Sequence, residues 1–219
     1  MNEHEPISVV LVDDHEVVRE GLRSLFMRSG RLSVVGEARG VAEAIKVAAQ
    51  IKPAVVVIDL RLPDGSGADA VAPIKQAVPG CKVLVLTSYA DDALIMQAIG
   101  AGADGYLLKE IAAVNLVESI LRVAEGSLVL DPLVARCLAR NGTPVVEPVP
   151  ESQKLSPLER HLVEFVAQGC GNKEIAQNLN LAESTVRNSL SRAFQKLGVS
   201  NRAEAVVWFV KQNQRWDRR

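Results

Sequence analysis

Through its first 126 residues the chain alternates short apolar runs with amphipathic stretches. The runs at 7–12, 32–38, 54–58, 82–86 and 105–108 are bounded by Gly, Pro, Asp or Ser. Their shortness and their β-branched content predict strands buried on both faces of a parallel sheet. Between them, 15–29, 41–51, 68–77, 91–100 and 112–125 repeat apolar residues every three or four positions, which predicts helices with one inward face. Val17, Val18, Gly21, Leu22 and Leu25 are assigned to that face in the first helix, and Ala44, Ile45, Val47 and Ala48 in the second. Five β–α units in series predict an α/β fold, a doubly wound five-stranded parallel sheet with helices on both faces.

Past Gly126 the period changes. A short helix is predicted over 131–140. The stretch 141–153, NGTPVVEPVPESQ, has three prolines and no helical period, as a semi-rigid spacer would. From Ser156 onward only helical periodicity is found, interrupted at 169–172, 180–183 and 198–201. The expected organisation is an α/β domain at 1–126, a linker with a short helix at 127–153, and a small all-α four-helix domain at 154–219.

The strand ends carry the polar chemistry. The run 54–58 stops at Asp59, before the Pro63-Asp64-Gly65 loop, where open α/β sheets place their ligands. Three of the other strands end at Asp13-Asp14, at Thr87 and at Lys109. Each residue alone admits a plainer role: a helix cap, a strand-end hydroxyl, a solvated lysine. Together they bring three carboxylates to one sheet edge, where mutual repulsion calls for a cation. All-oxygen ligands of this kind suit Mg²⁺. An ionised Asp59 in that setting is a candidate nucleophile for an aspartyl-phosphate.

The second half suggests a different task. Residues 1–150 hold 14 Lys/Arg against 19 Asp/Glu, whereas 151–219 hold 11 against 7. A basic all-α domain is a candidate for meeting phosphate backbones. Ser156, Pro157 and Glu159 form a helix-start signature. In the stretch opened by Ser184-Thr185, the inward face is Val186, Leu190, Phe194 and Leu197. Arg187, Asn188, Ser191, Arg192 and Lys196 face outward, as on a helix-turn-helix recognition helix. A helical bundle with a solvated basic face is the plainer alternative. The last helix, 203–212, shows Val206, Val207, Phe209 and Val210, either a dimer face or core.

No apolar run is long enough to span a membrane, and the acidic polar start does not resemble an export signal. The scattered Cys81, Cys137 and Cys170 form no metal or redox pair. His4, His15 and His161 lack ligand partners at useful spacing, which argues against zinc. A cytoplasmic protein with no membrane partner is expected.

The segments VLVDDHEVVREGL, VVVIDLRLPDGSG, VLVLTSYAD and GADGYLLKE resemble a response-regulator receiver domain, of flavodoxin-like fold, across residues 7–126. That resemblance implies Asp59 as the residue phosphorylated by a cognate sensor histidine kinase. It implies Mg²⁺ held by Asp14, Asp59 and the Arg61 carbonyl, with Asp13 acting through water. Thr87 and Tyr106 match the switch pair, although Tyr106 alone could be a core aromatic, and Lys109 matches the phosphate partner. Arg61 and Tyr89 match positions that flank the hydrolytic water, and their bulk implies slow autodephosphorylation. Glu110 stands where many receivers have a proline after a cis bond, which would cost a non-proline residue about 2.5–4 kcal/mol.

The run GCGNKEIAQNLNLAESTVRNSLSRAFQKLGV is similar to the LuxR-type helix-turn-helix of NarL/FixJ regulators. By that likeness Arg187, Asn188 and Ser191 face base edges with Arg192 nearby, while Lys173, Ser184, Thr185 and Lys196 meet backbone phosphates. Ser189 departs from the family, where a larger polar residue is common. The combined reading is a phosphorylation-controlled transcriptional regulator that binds double-stranded promoter DNA, as a homodimer when phosphorylated. The alternatives are a phosphorylation-independent DNA binder whose receiver only assembles, and an enzyme. Phosphohydrolases of related fold need a second Asp two residues after the nucleophile; Arg61 stands there, so no enzyme is expected.

Overall fold

Alternate residues of a strand face opposite sides of a sheet, and here both sides are apolar. In the computed structural model, which describes residues 5–88, 92–132, 134 and 155–216, this pattern builds a parallel sheet between two helical layers. The chain runs β1 (Ile7–Val12), α1 (Glu16–Ser29), β2 (Leu32–Ala38), α2 (Val41–Ile51) and β3 (Val55–Ile58). A small antiparallel pair follows, β4 (Arg61–Leu62) and β5 (Gly65–Ser66), then α3 (Gly67–Ala77), β6 (Lys82–Thr87) and α4 (Asp92–Gly100). β7 (Gly105–Leu108), α5 (Lys109–Ala124) and β8 (Val129–Leu130) complete the domain. The linker expected at 141–153, most of the short helix before it, Cys137 and Tyr89 lie outside the described residues.

The strand order is β2-β1-β3-β6-β7-β8, every pairing parallel. Val10, Val12, Val56, Ile58, Val83 and Val85 face α2, α3 and α4, with Ala44, Ala70, Ile74 and Ile95 against them. Val9, Leu11, Val55, Val57 and Leu84 face α1 and α5 through Phe26, Leu116 and Ile120. The five expected strands gain a sixth: Val129 pairs with Gly105 and Leu130 with Tyr106, beyond the boundary at Gly126. Two residues have no period to read, and only the neighbouring edge of β7 makes them a strand.

Two helices differ from expectation. On α1 the buried positions are Arg19 and Phe26, while Val17 and Gly21 are exposed. The face is centred on 19, 22 and 26, which lie on one side at about 100° per residue, so Val17 and Gly21 point outward. α5 starts directly at Lys109, with no cis peptide bond among the described residues, and its helical backbone breaks at Asn115 (φ −132°, ψ 15°).

The C-terminal domain comprises α6 (Pro157–Ala167), α7 (Asn172–Leu179), α8 (Glu183–Leu197) and α9 (Arg202–Trp216). Ser156 caps α6: its hydroxyl accepts from the Glu159 N–H, and the Glu159 carboxylate accepts from the Ser156 N–H at 2.7 Å. Asn180 takes the left-handed conformation (φ 52°) that ends α7, one of the few non-glycine residues able to do so cheaply. Leu162, Val166, Ile175, Val186, Leu190 and Ala205 form its core.

The two domains meet where α9 lies on α4. Ala203 and Val207 join the receiver-side core, and the Asn201 side-chain amide donates to the Ile99 carbonyl at 3.0 Å. The α6–α7 turn also meets the loop after α5: a Cβ on Gly171 would lie 2.9 Å from the Ser127 hydroxyl.

Candidate functional site

Register brings the polar strand ends together. Val12 lies beside Ile58 and Ile58 beside Val85, while Thr87 lies beside Leu108. The next residue on β1 is Asp13, on β3 Asp59 and on β7 Lys109. The Asp59 N–H donates to the Val12 carbonyl at 2.9 Å, which seats the aspartate against the end of β1. Gly67, the first residue of α3, makes this possible: an added Cβ would stand 2.0 Å from the Asp59 carbonyl oxygen. Asp64 anchors the same loop to α2 by accepting the Val41 and Ala42 N–H groups at 2.7 and 3.0 Å. Those backbone bonds, Ala42 first and Val41 second, hold its carboxyl below the usual carboxylate range.

At the centre, the Lys109 ammonium donates to Asp13 Oδ2 and to Asp59 Oδ2, each at 2.6 Å. Both aspartates are buried, whereas Asp14 is exposed. Burial alone disfavours the ammonium, but the hydrogen bonds to Asp13 and Asp59, with their charges, outweigh it and raise the lysine pKa. Asp59 Oδ1 accepts the Arg61 N–H at 3.3 Å, and Asp13 Oδ1 accepts the His15 N–H at 2.9 Å.

Two of the three carboxylates share the Lys109 ammonium and the third, Asp14, lies against His15, so the cluster keeps negative charge and offers oxygen donors. That donor set fits a hard divalent cation such as Mg²⁺. The spacing in sequence left His15 without ligand partners, yet its Nδ1 lies 2.7 Å from Asp14, and ligand atoms of Asp13, Asp14 and His15 all fall within 4.8 Å of one another. Side chains of adjacent residues at a strand-to-helix turn converge in a way that one-dimensional spacing does not reveal.

Thr87 and Tyr106 are both fully buried. Val85 is the partner of Tyr106, and Thr87 lies two residues further along, so hydroxyl and phenol share the α4 face of the sheet. The thiol of Cys81 is buried and pushed up to about 11 mainly by that burial, so it stays protonated and inert.

On α8, Ser184, Thr185, Arg187, Asn188, Ser191 and Arg192 are exposed along one face, and Lys173 is exposed on α7. Ser189 is buried and belongs to the inward side, away from any groove. Lys196 differs from its neighbours: its ammonium is paired with Glu159 at 2.7 Å. Burial alone would raise the Glu159 pKa, but the bonds from Lys196 and Ser156 prevail and lower it. Glu159 was legible only as a cap, because its second partner lies 37 residues away.

Some participants had a weaker sequence signal. Arg19 sits with Leu22 and Phe26 on the inward stripe of α1, and a charge in an apolar stripe is a cue for a buried polar role. Its Nη1 donates to the Asp13 carbonyl at 2.7 Å and its Nε to Glu37 at 2.9 Å.

Comparison with known proteins agrees with this geometry. Residues 9–121 match the response regulator receiver domain family, and residues 153–209 match the bacterial regulatory proteins of the luxR family. The chain is 40% identical over 202 residues to the DNA-binding transcriptional activator DevR/DosR of Mycobacterium tuberculosis, covering 92% of this chain and 93% of that protein. It is 30% identical over 212 residues to the nitrate/nitrite response regulator NarL of Escherichia coli, covering 95% and 97%. Among solved structures, the response regulator ChrA of a heme-sensing two-component system aligns at 34% identity and a TM-score of 0.54, covering 97% and 99%. Receiver site, helix-turn-helix and full-length relatives agree that the chain belongs to the NarL/FixJ response regulators, DNA-binding transcriptional regulators controlled by phosphorylation.

Proposed function

We propose that Asp59 is the phosphoacceptor and that its modification frees the C-terminal domain to dimerise on promoter DNA. The observation that carries this reading is the Lys109 ammonium, 2.6 Å from both Asp13 and Asp59 at aligned strand ends. An Asp59 carboxylate oxygen attacks phosphorus while the bond from phosphorus to the kinase imidazole nitrogen breaks, and the electron pair leaves with the imidazole. Lys109 remains on Asp13 and turns its other hydrogens to the phosphoryl oxygens. Asp14, Asp59 and the Arg61 carbonyl, with Asp13 acting through water, would hold Mg²⁺, which would supply charge neutralisation as phosphoryl oxygens crowd three carboxylates. The Thr87 hydroxyl then donates to a phosphoryl oxygen, and Tyr106, on the same sheet face, follows into the space that this movement opens.

The output side follows from where α9 rests. Arg187, Asn188, Ser191 and Arg192 on α8 are exposed while Ala203 and Val207 of α9 are covered by α4. Docking on the receiver therefore restrains the last helix rather than the recognition face. A phosphorylation-driven shift on the α4 face weakens that docking and offers α9 to a second copy. Arg187 and Asn188 suit bidentate contacts to guanine and adenine. Lys173, Ser184 and Thr185 suit backbone phosphates, whereas the Lys196 ammonium is already paired with Glu159. DNA binding is a property of the RcsB–DNA complex, a solved structure 25% identical to this chain with a TM-score of 0.56. A regulator of this kind works in the bacterial cytoplasm.

The docking tie can be cut at Asn201. Asn201→Ser keeps a capping oxygen for the Glu204 N–H, which Asn201 holds at 2.9 Å, but loses the amide that donates to the Ile99 carbonyl and, within the cap, to the Glu204 carboxylate at 3.2 Å. Losing one such bond is worth about 0.5–1.5 kcal/mol, so unphosphorylated Asn201→Ser is expected to bind promoter DNA about two- to tenfold more tightly than wild type. Fluorescence anisotropy on a promoter duplex reads the difference. Equal affinities would mean that the α4–α9 contact does not restrain DNA binding.

A further inference from the structure

We propose that Arg19 is a positioning residue for the divalent cation, acting through the backbone of the Asp13–Asp14 turn. This inference rests on the reading of that turn as the cation site. The Arg19 side chain is 4% exposed, and it spends its fork on two partners from different elements. Nη1 donates to the Asp13 carbonyl at 2.7 Å, and Nε donates to the Glu37 carboxylate of β2 at 2.9 Å. Glu37 also pairs with Arg23, which fixes it further.

The Asp13 backbone is thereby held from both sides. Its N–H donates to the Ala38 carbonyl of β2 at 3.2 Å, and its carbonyl takes the guanidinium. A peptide unit is planar, so fixing the Asp13 carbonyl fixes the plane of the Asp13–Asp14 bond and with it the direction in which Asp14 leaves the chain. The Asp13 side chain has separate anchors, the His15 N–H and Lys109. Asp14 is exposed and its carboxylate lies against the His15 ring. Arg19 is thus a side-chain restraint that reaches Asp14 through the Asp13 carbonyl.

Stability alone does not call for this residue. Replacing both members of a buried ion pair by apolar side chains is often neutral or stabilising, and after Arg19→Met the Glu37 carboxylate, 24% exposed, keeps Arg23 as its partner. Arginine sets Nη1 on the carbonyl and Nε on the carboxylate, and a lysine, with a single nitrogen, cannot reproduce both bonds in that geometry. The sign of the effect separates positioning from charge. A nearby positive charge repels a divalent cation, so charge alone predicts that a neutral residue here tightens Mg²⁺ binding. Positioning predicts the reverse.

The test is calorimetric titration of Mg²⁺ into the full chain, for wild type, Arg19→Lys and Arg19→Met, with thermal melts in parallel. Loss of an outer-shell partner costs a metal site about 10–100-fold in affinity, and both variants are expected to weaken Mg²⁺ binding by roughly tenfold. Phosphorylation by acetyl phosphate should slow at low Mg²⁺ and recover at saturating Mg²⁺. Unchanged or tighter Mg²⁺ binding in the folded Lys variant would overturn the role of Arg19. No Mg²⁺ binding by wild type would overturn the cation site on which it rests.

Discussion

Lys109→Gln is expected to destabilise the protein by about 3 kcal/mol at neutral pH, the low end of the cost of breaking a buried pair by removing one partner. The low end applies because the lysine side chain is 19% exposed. The side chains of Asp13 and Asp59 are 4% and 8% exposed, and the ammonium is the positive charge they share. Glutamine can offer hydrogen bonds but no charge, so two carboxylates would be left facing each other at the sheet edge. The pH dependence follows from the direction of the lysine shift. Its pKa is raised by its partners above the ordinary 10.5, so its contribution is fully present below 10.5 and is lost as pH rises through the raised value. Urea melts of both proteins should show a constant gap from neutral to moderately alkaline pH, closing only above about 10.5. A variant as stable as wild type at neutral pH would mean that the ammonium does not hold the carboxylates together.

Gly67→Ala should be nearly as damaging, for a steric reason. The added carbon would stand 2.0 Å from the Asp59 carbonyl oxygen and 3.0 Å from its carbonyl carbon, both main-chain atoms that cannot rotate away. Relief requires moving the start of α3 or the segment that carries Asp59. Overpacking of this kind costs about 1–3 kcal/mol, and a backbone obstacle places the expectation at the upper end. The urea midpoint should fall with an unchanged slope, and phosphorylation by acetyl phosphate should slow because Asp59, the proposed acceptor, is displaced. Gly21→Ala is the control: Gly21 lies within α1 with nothing near an added Cβ, and alanine there should stabilise by about 0.5–1 kcal/mol. Equal stability of Gly67→Ala and wild type would contradict the packing described here.

The strand ends were legible in the sequence because a buried parallel strand is a continuous apolar run that must stop where its polar residue begins. Asp13, Asp59, Thr87 and Lys109 each stand at such a stop, and the register of β1, β3, β6 and β7 brings those stops to one edge. The face of α8 was legible for a similar reason, since Val186, Leu190 and Leu197 repeat at helical spacing and are buried. β8 was not, because two residues carry no period. The inward turn of Arg19 was also missed, because a charged residue is assigned outward unless its partners Glu37 and the Asp13 carbonyl are known. The pairing of Lys196 with Glu159 and the covering of Val207 by α4 join residues far apart in the chain, and no local pattern encodes them. The last helix, read as either a dimer face or core, divides its apolar residues: Ala203 and Val207 join the receiver-side core, while Ala205 and Phe209 pack within its own domain.

The most direct measurement is intact mass after incubation with acetyl phosphate and Mg²⁺, for wild type and Asp59→Asn in parallel, followed by sizing of each product. The account predicts one phosphoryl group on wild type, none on Asp59→Asn, and a shift toward dimer for phosphorylated wild type only. Phosphate on Asp59→Asn, or none on wild type, would contradict Asp59 as the acceptor. A phosphorylated wild type that stays monomeric would contradict the release of α9.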